Sequence, residues 1–254
     1  SIVVGKYVGD NALAAVGSAG PILNLLLVLF IGISMGASIM VAQYFGAKQR
    51  EELSYTIGNC IVLTGIASLI IMAISPIITR PLLELLDTPA SIIDWCEGYL
   101  MILFLGCAGS AFYNILSGIL RGLGDAFWAL VVLLISTVIN IVLDIVFVAN
   151  FNLGVSGVAW ATIIAQAVSA ILCFLRLASL KEIFHLKPQY MVLKQKFSMG
   201  VIRLGLPSGL TQAIFSMAMI VVQALTNSFG EMFIAANVII MRVDGFAMLP
   251  NFSF

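Results

Sequence analysis

The chain has 254 residues, of which 61% are hydrophobic and only 9% are charged, and its formal net charge is zero. A soluble domain carries about 25% charged residues, so this chain could not cover its surface in water, and lipid must be the solvent for most of it. The balanced charge and the lack of a basic run in the sequence also argue against nucleic-acid binding.

Charge-poor apolar stretches recur along the chain, each long enough for the roughly 20 residues that a membrane-spanning helix needs. They predict helices at about 18–44, 54–78, 97–119, 126–149, 157–179, 203–227 and 233–254. Residues 1–8 look like the end of an earlier helix, and a turn-like cluster, Asn150-Phe151-Asn152-Leu153-Gly154, separates two of the spans. Helices are expected because lipid offers no partner for unpaired backbone groups, and the sequence lacks alternating barrel strands. The predicted fold is an all-α polytopic transmembrane bundle.

The distribution of Lys and Arg predicts how the bundle is oriented. Nine basic residues fall in or beside connections on one side of the predicted spans: Lys48, Arg50, Arg121, Arg176, Lys181, Lys187, Lys194, Lys196 and Arg203. That side is therefore expected to be cytoplasmic. The stretch 181–200 is the most polar part of the chain and contains Pro188 and the single histidine, His185. We interpret it as a cytoplasmic linker with a solvated histidine.

Two short motifs, at 7–15 and at 228–236, share a Gly, an acid, a Leu or Ile and an Ala-Ala pair at corresponding positions. Each follows one apolar segment and opens another, which predicts a parallel repeat of the kind found in secondary transporters. The predicted organisation is an N-terminal lobe over 1–180, the linker over 181–200, and the start of a C-terminal lobe over 201–254. Both ends look cut, because the chain starts at Ser1 and stops at Phe254 within an apolar stretch.

Asp144 carries the strongest functional signal. It lies in the apolar run 139–147, where an acid costs at least ~2.5–3.5 kcal/mol to insert and is expected to face a bundle interior or an aqueous cavity as an ion or proton site. The alternative is a merely hydrated acid, because the outer end of the span is about five residues, or ~8 Å, away. Asn140 precedes it by one turn on the same helix face. A carboxylate and an amide oxygen suit Na⁺, but the carboxylate could instead bind a proton.

Other polar residues in the apolar segments give weaker signals. Thr162 and Gln166 form a second pair one turn apart, which by itself indicates helix–helix contact. Arg242 and Asp244 form either a second functional cluster or a pair with each other or with neighbours. The cysteines lack CxxC spacing and are interpreted as small buried hydrophobes; they are Cys60, Cys96, Cys107 and Cys173.

Sequence motifs of enzymes are missing, and small residues point to packing instead. The sequence contains no GxxxxGK[ST], GxSxG or HExxH pattern, so an enzyme is not expected and no cofactor is predicted beyond a coupling ion. Gly32 and Gly36 are expected to let helices pack closely.

The chain resembles the multidrug and toxic compound extrusion (MATE) family of cation-coupled antiporters over nearly its whole length. The segments that carry the resemblance, in order, are Val8-Gly9-Asp10-Asn11-Ala12-Leu13-Ala14-Ala15-Val16-Gly17, Gly36-Ala37-Ser38-Ile39-Met40-Val41-Ala42-Gln43-Tyr44-Phe45-Gly46-Ala47, Gly118-Ile119-Leu120-Arg121-Gly122-Leu123-Gly124-Asp125, Leu153-Gly154-Val155-Ser156-Gly157-Val158-Ala159-Trp160-Ala161-Thr162 and Leu204-Gly205-Leu206-Pro207-Ser208-Gly209. Their order and spacing together are more specific than any one segment.

The resemblance implies two six-helix lobes joined by a cytoplasmic loop, with a central cavity that opens to each side in turn. Some family members have a cation or proton site formed by an acid on the first helix, an Asn and an Asp four residues apart on the fifth, and a Thr on the sixth. Asn140, Asp144 and Thr162 match the last three by position, and the first-helix acid would precede Ser1. Some members carry an acid in the seventh helix, whereas 204–230 has none. This favours coupling in the N-terminal lobe, as in the branch related to DNA-damage-inducible protein F.

The expected function is Na⁺- or H⁺-coupled export of amphipathic or cationic drugs across a bacterial inner membrane. The partners would be membrane lipid, a small amphipathic substrate and the remainder of the same polypeptide, without which the chain is not expected to transport. The sequence does not identify the substrate-binding residues. The alternatives are a lipid-linked oligosaccharide flippase of the same superfamily and a membrane scaffold without transport.

Overall fold

The computed structural model describes residues 10–85, 92–180, 183–184 and 187–228. Its helices are α1 (Asp10–Gly46), α2 (Arg50–Leu85), α3 (Ile93–Leu105), α4 (Cys107–Gly122), α5 (Ala126–Ile145), α6 (Gly154–Ser179) and α7 (Gln195–Ser228). A π-helical turn, Val146–Asn150, continues α5, and a 3₁₀ turn, Pro188–Tyr190, precedes α7. The described residues contain no strand, and the all-α prediction is confirmed.

Several of these helices can cross a membrane. Arg50–Glu84, Ala126–Asn150 and Gly154–Ser179 are each long and apolar enough by themselves, and α3 and α4 together pass the same criterion. Large apolar side chains on α5, such as Phe127 and Val138, are exposed, as expected for a surface that faces lipid. The structure is that of a multi-pass membrane protein.

Some helix bounds differ from the prediction, and one predicted break is confirmed. The helix predicted at 97–119 is two helices, α3 and α4, bent by 50° at Gly106. The break predicted at Asn150–Gly154 is present, and Asn152 and Gly154 adopt positive φ angles of 53° and 57° there. α7 begins at Gln195 instead of at about 203, because Phe197 and Val201 are buried and extend the helix below the apolar span.

Parts of the prediction fall outside the described residues. These are the stub at 1–8, the helix predicted at 233–254, and the residues His185, Arg242 and Asp244. The described chain also divides into two compact units, Ser1–Gly209 and Leu210–Phe254. The first unit therefore contains linker residues and the beginning of α7 in addition to the predicted N-terminal lobe.

Within the first unit, α4 is the central helix and packs against α1, α2 and α6, while α5 packs mainly on α6. Two apolar clusters form the core. One lies toward the predicted linker and includes Val41, Ile57 and Leu177, and the other lies toward the opposite helix ends and includes Leu100 and Val158.

Glycines allow α1 and α7 to approach very closely. A Cβ added at Gly36 would overlap the carbonyl oxygen of Val201, and one added at Gly205 would overlap the carbonyl oxygen of Gly32. Gly209 also lies against Gly32, with 3.5 Å between its ideal Cβ position and the Gly32 Cα. The close packing predicted for Gly32 and Gly36 is thus observed, and the partner helix is α7.

Charged side chains of the described segments pair at helix ends. Arg176, at the end of α6, donates to Asp125 at 2.7 Å and lies over the ring of Trp128. Near the opposite end of the bundle, Arg80 contacts three acids, with its closest oxygen at 2.9 Å on Glu97. Asp144 belongs to none of these pairs and is buried one residue before the end of α5.

Candidate ion-coupling site

The predicted site residues lie on two helices that pack side by side. Asn140 and Asp144 are one turn apart on α5, and Thr162 is on α6. The Asn140 side-chain amide donates to the Thr162 hydroxyl oxygen at 3.4 Å, and this hydroxyl donates to the Val158 carbonyl at 2.9 Å. The structure therefore brings into contact Asn140 and Thr162, which only the family resemblance had placed in one site.

Asp144 is buried, with 9% of its surface exposed. Its Oδ1 atom has no hydrogen-bond partner among the described residues. Low exposure counts against a merely hydrated acid at a helix end. A buried carboxylate oxygen without a partner is costly, and such a group is expected to take up a proton or a cation.

The backbone changes its geometry immediately after Asp144. α5 ends at Ile145, and Val146–Asn150 continues as a π-helical turn. Single π turns inside helices occur frequently at functional sites, because the wider turn redirects the side chains around it. This turn was not predictable, since Val-Phe-Val-Ala-Asn is compatible with an ordinary helix.

Tyr99 is a neighbour of the site that the sequence did not single out. It lies on α3, is 6% exposed, and belongs to the same apolar cluster as Val148. Val148 lies in the π-helical turn that directly follows Asp144 and Ile145. A tyrosine in an apolar helix is ordinarily a packing residue, so only the packing of α3 shows that it belongs near the acid.

Gln166, one turn after Thr162 on α6, also has an unsatisfied group. Its Oε1 atom is buried and has no hydrogen-bond partner in the part of the chain that the structure describes. Helix contact alone, which was the interpretation of the Thr162–Gln166 pair, accounts for Thr162 but not for this oxygen. The faces of α5 and α6 together offer carboxylate, amide and hydroxyl oxygens, which are the ligands that hard cations prefer.

Long apolar helices around a buried and incompletely paired acid are typical of ion-coupled secondary transporters. The comparisons with known proteins identify the family. The MatE family model matches residues 1–146, which is more than half of the chain. The chain belongs to the MatE family.

Relatives and solved structures agree with this assignment. The chain is 29% identical to the probable multidrug resistance protein YoeA of Bacillus subtilis over 99% of this chain and 56% of YoeA. It is 28% identical to the probable multidrug resistance protein YpnP of the same organism, over 98% of this chain and 56% of YpnP. A MOP superfamily transporter from Pyrococcus furiosus, reported to have a binding pocket of reverse polarity, superimposes with a TM-score of 0.88 at 26% identity over 98% of this chain and 55% of that protein. The chain spans about half the length of the proteins it matches.

Proposed function

We propose that the chain is part of a secondary active transporter in a bacterial inner membrane, which exports amphipathic or cationic drugs in exchange for Na⁺ or H⁺. The multidrug resistance names of the relatives support the drug class. The observation that carries ion coupling is the buried Oδ1 of Asp144, which has no partner among the described residues. Since the chain spans about half of its relatives, transport is proposed for the longer protein.

In this proposal, the coupling ion binds at Asp144. A proton would convert the unpaired Oδ1 into a hydroxyl group and remove the buried charge. A sodium ion would instead be coordinated by the Asp144 carboxylate, with the Asn140 amide oxygen and the Thr162 hydroxyl as further ligands. Asn140 and Thr162 are already held together by their hydrogen bond, which reduces the ordering needed when an ion binds.

Exchange follows if the ion and the drug stabilise different conformations. The ion stabilises the conformation in which α5 and α6 hold the site closed, and the drug stabilises the other. Each ligand then lowers the affinity for the other by the same factor, because coupling free energy is reciprocal. The π turn next to Asp144 is a natural place for α5 to change its geometry.

A lipid-linked oligosaccharide flippase is less well supported. Such a protein would be expected to present cations to an anionic substrate. In the described helices α1–α6, Lys and Arg occur only near helix ends, as with Arg80 and Arg176. Both of these are paired with acids, so neither is free for a substrate.

The test is efflux of a fluorescent cationic dye from vesicles that contain the complete protein, with Na⁺ and pH gradients imposed separately. The wild type should extrude the dye under one of the two gradients, which names the ion. Asp144→Asn should not, whereas the matched control Asp94→Asn, which changes an exposed acid, should behave as the wild type. Equal efflux by Asp144→Asn would remove Asp144 from the mechanism, and a wild type that moves no dye would favour the flippase or scaffold.

A further inference from the structure

A buried asparagine binds the polar segment before α7 to the N-terminal part of α2. Asn59 is fully buried. Its side-chain amide donates to the carbonyl oxygens of Tyr55 and Val192, each at 2.9 Å. Its side-chain oxygen accepts from the Lys194 backbone N–H and from the Ser198 hydroxyl, also at 2.9 Å. All four hydrogen-bonding positions of this side chain are used, and three of them go to residues more than 130 positions away.

The surface of α2 around Asn59 is shaped to receive this segment. A Cβ at Gly58 would overlap the carbonyl oxygen of Tyr190, so only glycine allows the backbone to come this close. The Tyr55 ring packs edge-on against the Tyr190 ring at 4.8 Å between centroids. The Lys194 ammonium lies 3.3 Å from the centre of the Tyr55 ring, a cation–π contact.

Apolar side chains just before and within residues 187–201 are inserted into the core of the first unit. Phe184, Phe197 and Val201 are 1%, 4% and 0% exposed. They belong to the same cluster as Ile57 and Leu177. Lifting residues 187–201 away would expose Phe197 and Val201 and separate Asn59 from its partners at the same time.

We propose that this linker anchor, formed by Tyr55, Gly58 and Asn59, keeps residues 187–201 fixed to the N-terminal unit throughout the transport cycle. Two transporter conformations differ by only a few kcal/mol in typical cases. Detaching the segment would break the hydrogen bonds of the buried Asn59 side chain and expose core side chains. This is too unfavourable to occur at every turnover. The segment therefore stays attached to the N-terminal unit. The backbone changes that allow the lobes to move relative to each other then occur C-terminal to Val201.

The first test measures amide hydrogen exchange of residues 190–198 in the complete protein. Asn59→Leu should increase the exchange rates there by roughly tenfold or more, because several hydrogen bonds that hold the segment are lost together. The matched control is Asn114→Leu, since the Asn114 side chain donates to the carbonyl of Ser110, four residues earlier on its own helix. Unchanged exchange in Asn59→Leu, or an equal increase in Asn114→Leu, would overturn the anchor.

The second test keeps Asn59 and asks whether the anchor must open. Tyr55→Cys and Tyr190→Cys are combined in a background without the four native cysteines, and a short bismaleimide joins them. The cross-linked protein should transport without loss of rate relative to each single-cysteine variant treated with the same reagent. Transport that stops only in the cross-linked protein would show that the segment must detach, which contradicts the proposal.

The two tests separate this inference from the proposed function. If the protein before cross-linking moves no dye under either gradient, antiport fails, and the exchange comparison decides whether the anchor exists. If that protein transports and the cross-linked form does not, antiport stands. The proposal that residues 187–201 stay attached throughout the cycle is then wrong.

Discussion

Replacing Gly36 by alanine tests the close contact between α1 and α7. The added Cβ would overlap the carbonyl oxygen of Val201 and lie 2.8 Å from the Gly205 nitrogen. Both obstacles are backbone atoms, so no change of side-chain rotamer can relieve the overlap. The two helix backbones must therefore move apart at this point.

The magnitude follows from two opposing terms. Alanine in place of glycine in a helix interior stabilises by roughly 0.5–1 kcal/mol. Overpacking of a tight contact destabilises by typically ~1–3 kcal/mol, and the rigid backbone around Gly36 places this site toward the upper value. The expected net result is a loss of about 1–2 kcal/mol in the free energy of unfolding.

Gly98→Ala is the matched control, because a Cβ there meets no atom within 4 Å. Unfolding in mixed micelles of mild detergent and dodecyl sulfate, followed by circular dichroism, measures both variants on the same scale. Gly98→Ala should match or slightly exceed the wild type, whereas Gly36→Ala should unfold at a lower dodecyl sulfate fraction. If the two variants are equally stable, α1 and α7 are not in close contact and the reasoning is refuted.

Two further substitutions probe other parts of the fold in the same assay. Arg176→Gln removes the partner of Asp125, which is only 17% exposed, and should lower the free energy of unfolding by about 1–2 kcal/mol, between the values for exposed and buried pairs. Arg176→Lys should lower it less because the charge remains, and equal losses would argue against the ion pair. Gly154→Ala places a side chain at a positive φ of 57° and should destabilise by roughly 1–2 kcal/mol, whereas a neutral result would mean that the turn before α6 adopts another conformation.

Much of the fold was predictable because lipid allows few alternatives. Long apolar stretches had to become helices, and turn residues such as Asn152 and Gly154 marked where two of them separate. The bend at Gly106 was not predictable, and neither was the contact made there with α6, where a Cβ would overlap the Ile163 side chain. A glycine within an apolar stretch does not reveal which neighbour it accommodates.

The candidate site was predictable only in part. Asp144 and Asn140 stood out because polar side chains are costly in lipid, whereas Thr162 entered the predicted site through the family resemblance. Its contact with Asn140 became visible only with the pairing of α5 and α6. Tyr99 and the π turn after Asp144 did not stand out, since an aromatic residue and a valine-rich turn are ordinary in apolar helices. Asn59 was missed for another reason, because its linker partners are too distant in sequence for any local pattern to connect them.

The most direct test of the account is the linkage between drug and ion at Asp144. The affinity of the complete protein for a fluorescent cationic dye is measured in detergent across a series of Na⁺ concentrations and, separately, across a pH series. In the wild type, dye affinity should fall as the coupling ion binds. Asp144→Asn should make dye affinity independent of that ion, whereas the control Asp94→Asn should leave the dependence intact. If Asp144→Asn retains the wild-type dependence, the ion does not act through Asp144, and the central claim is wrong.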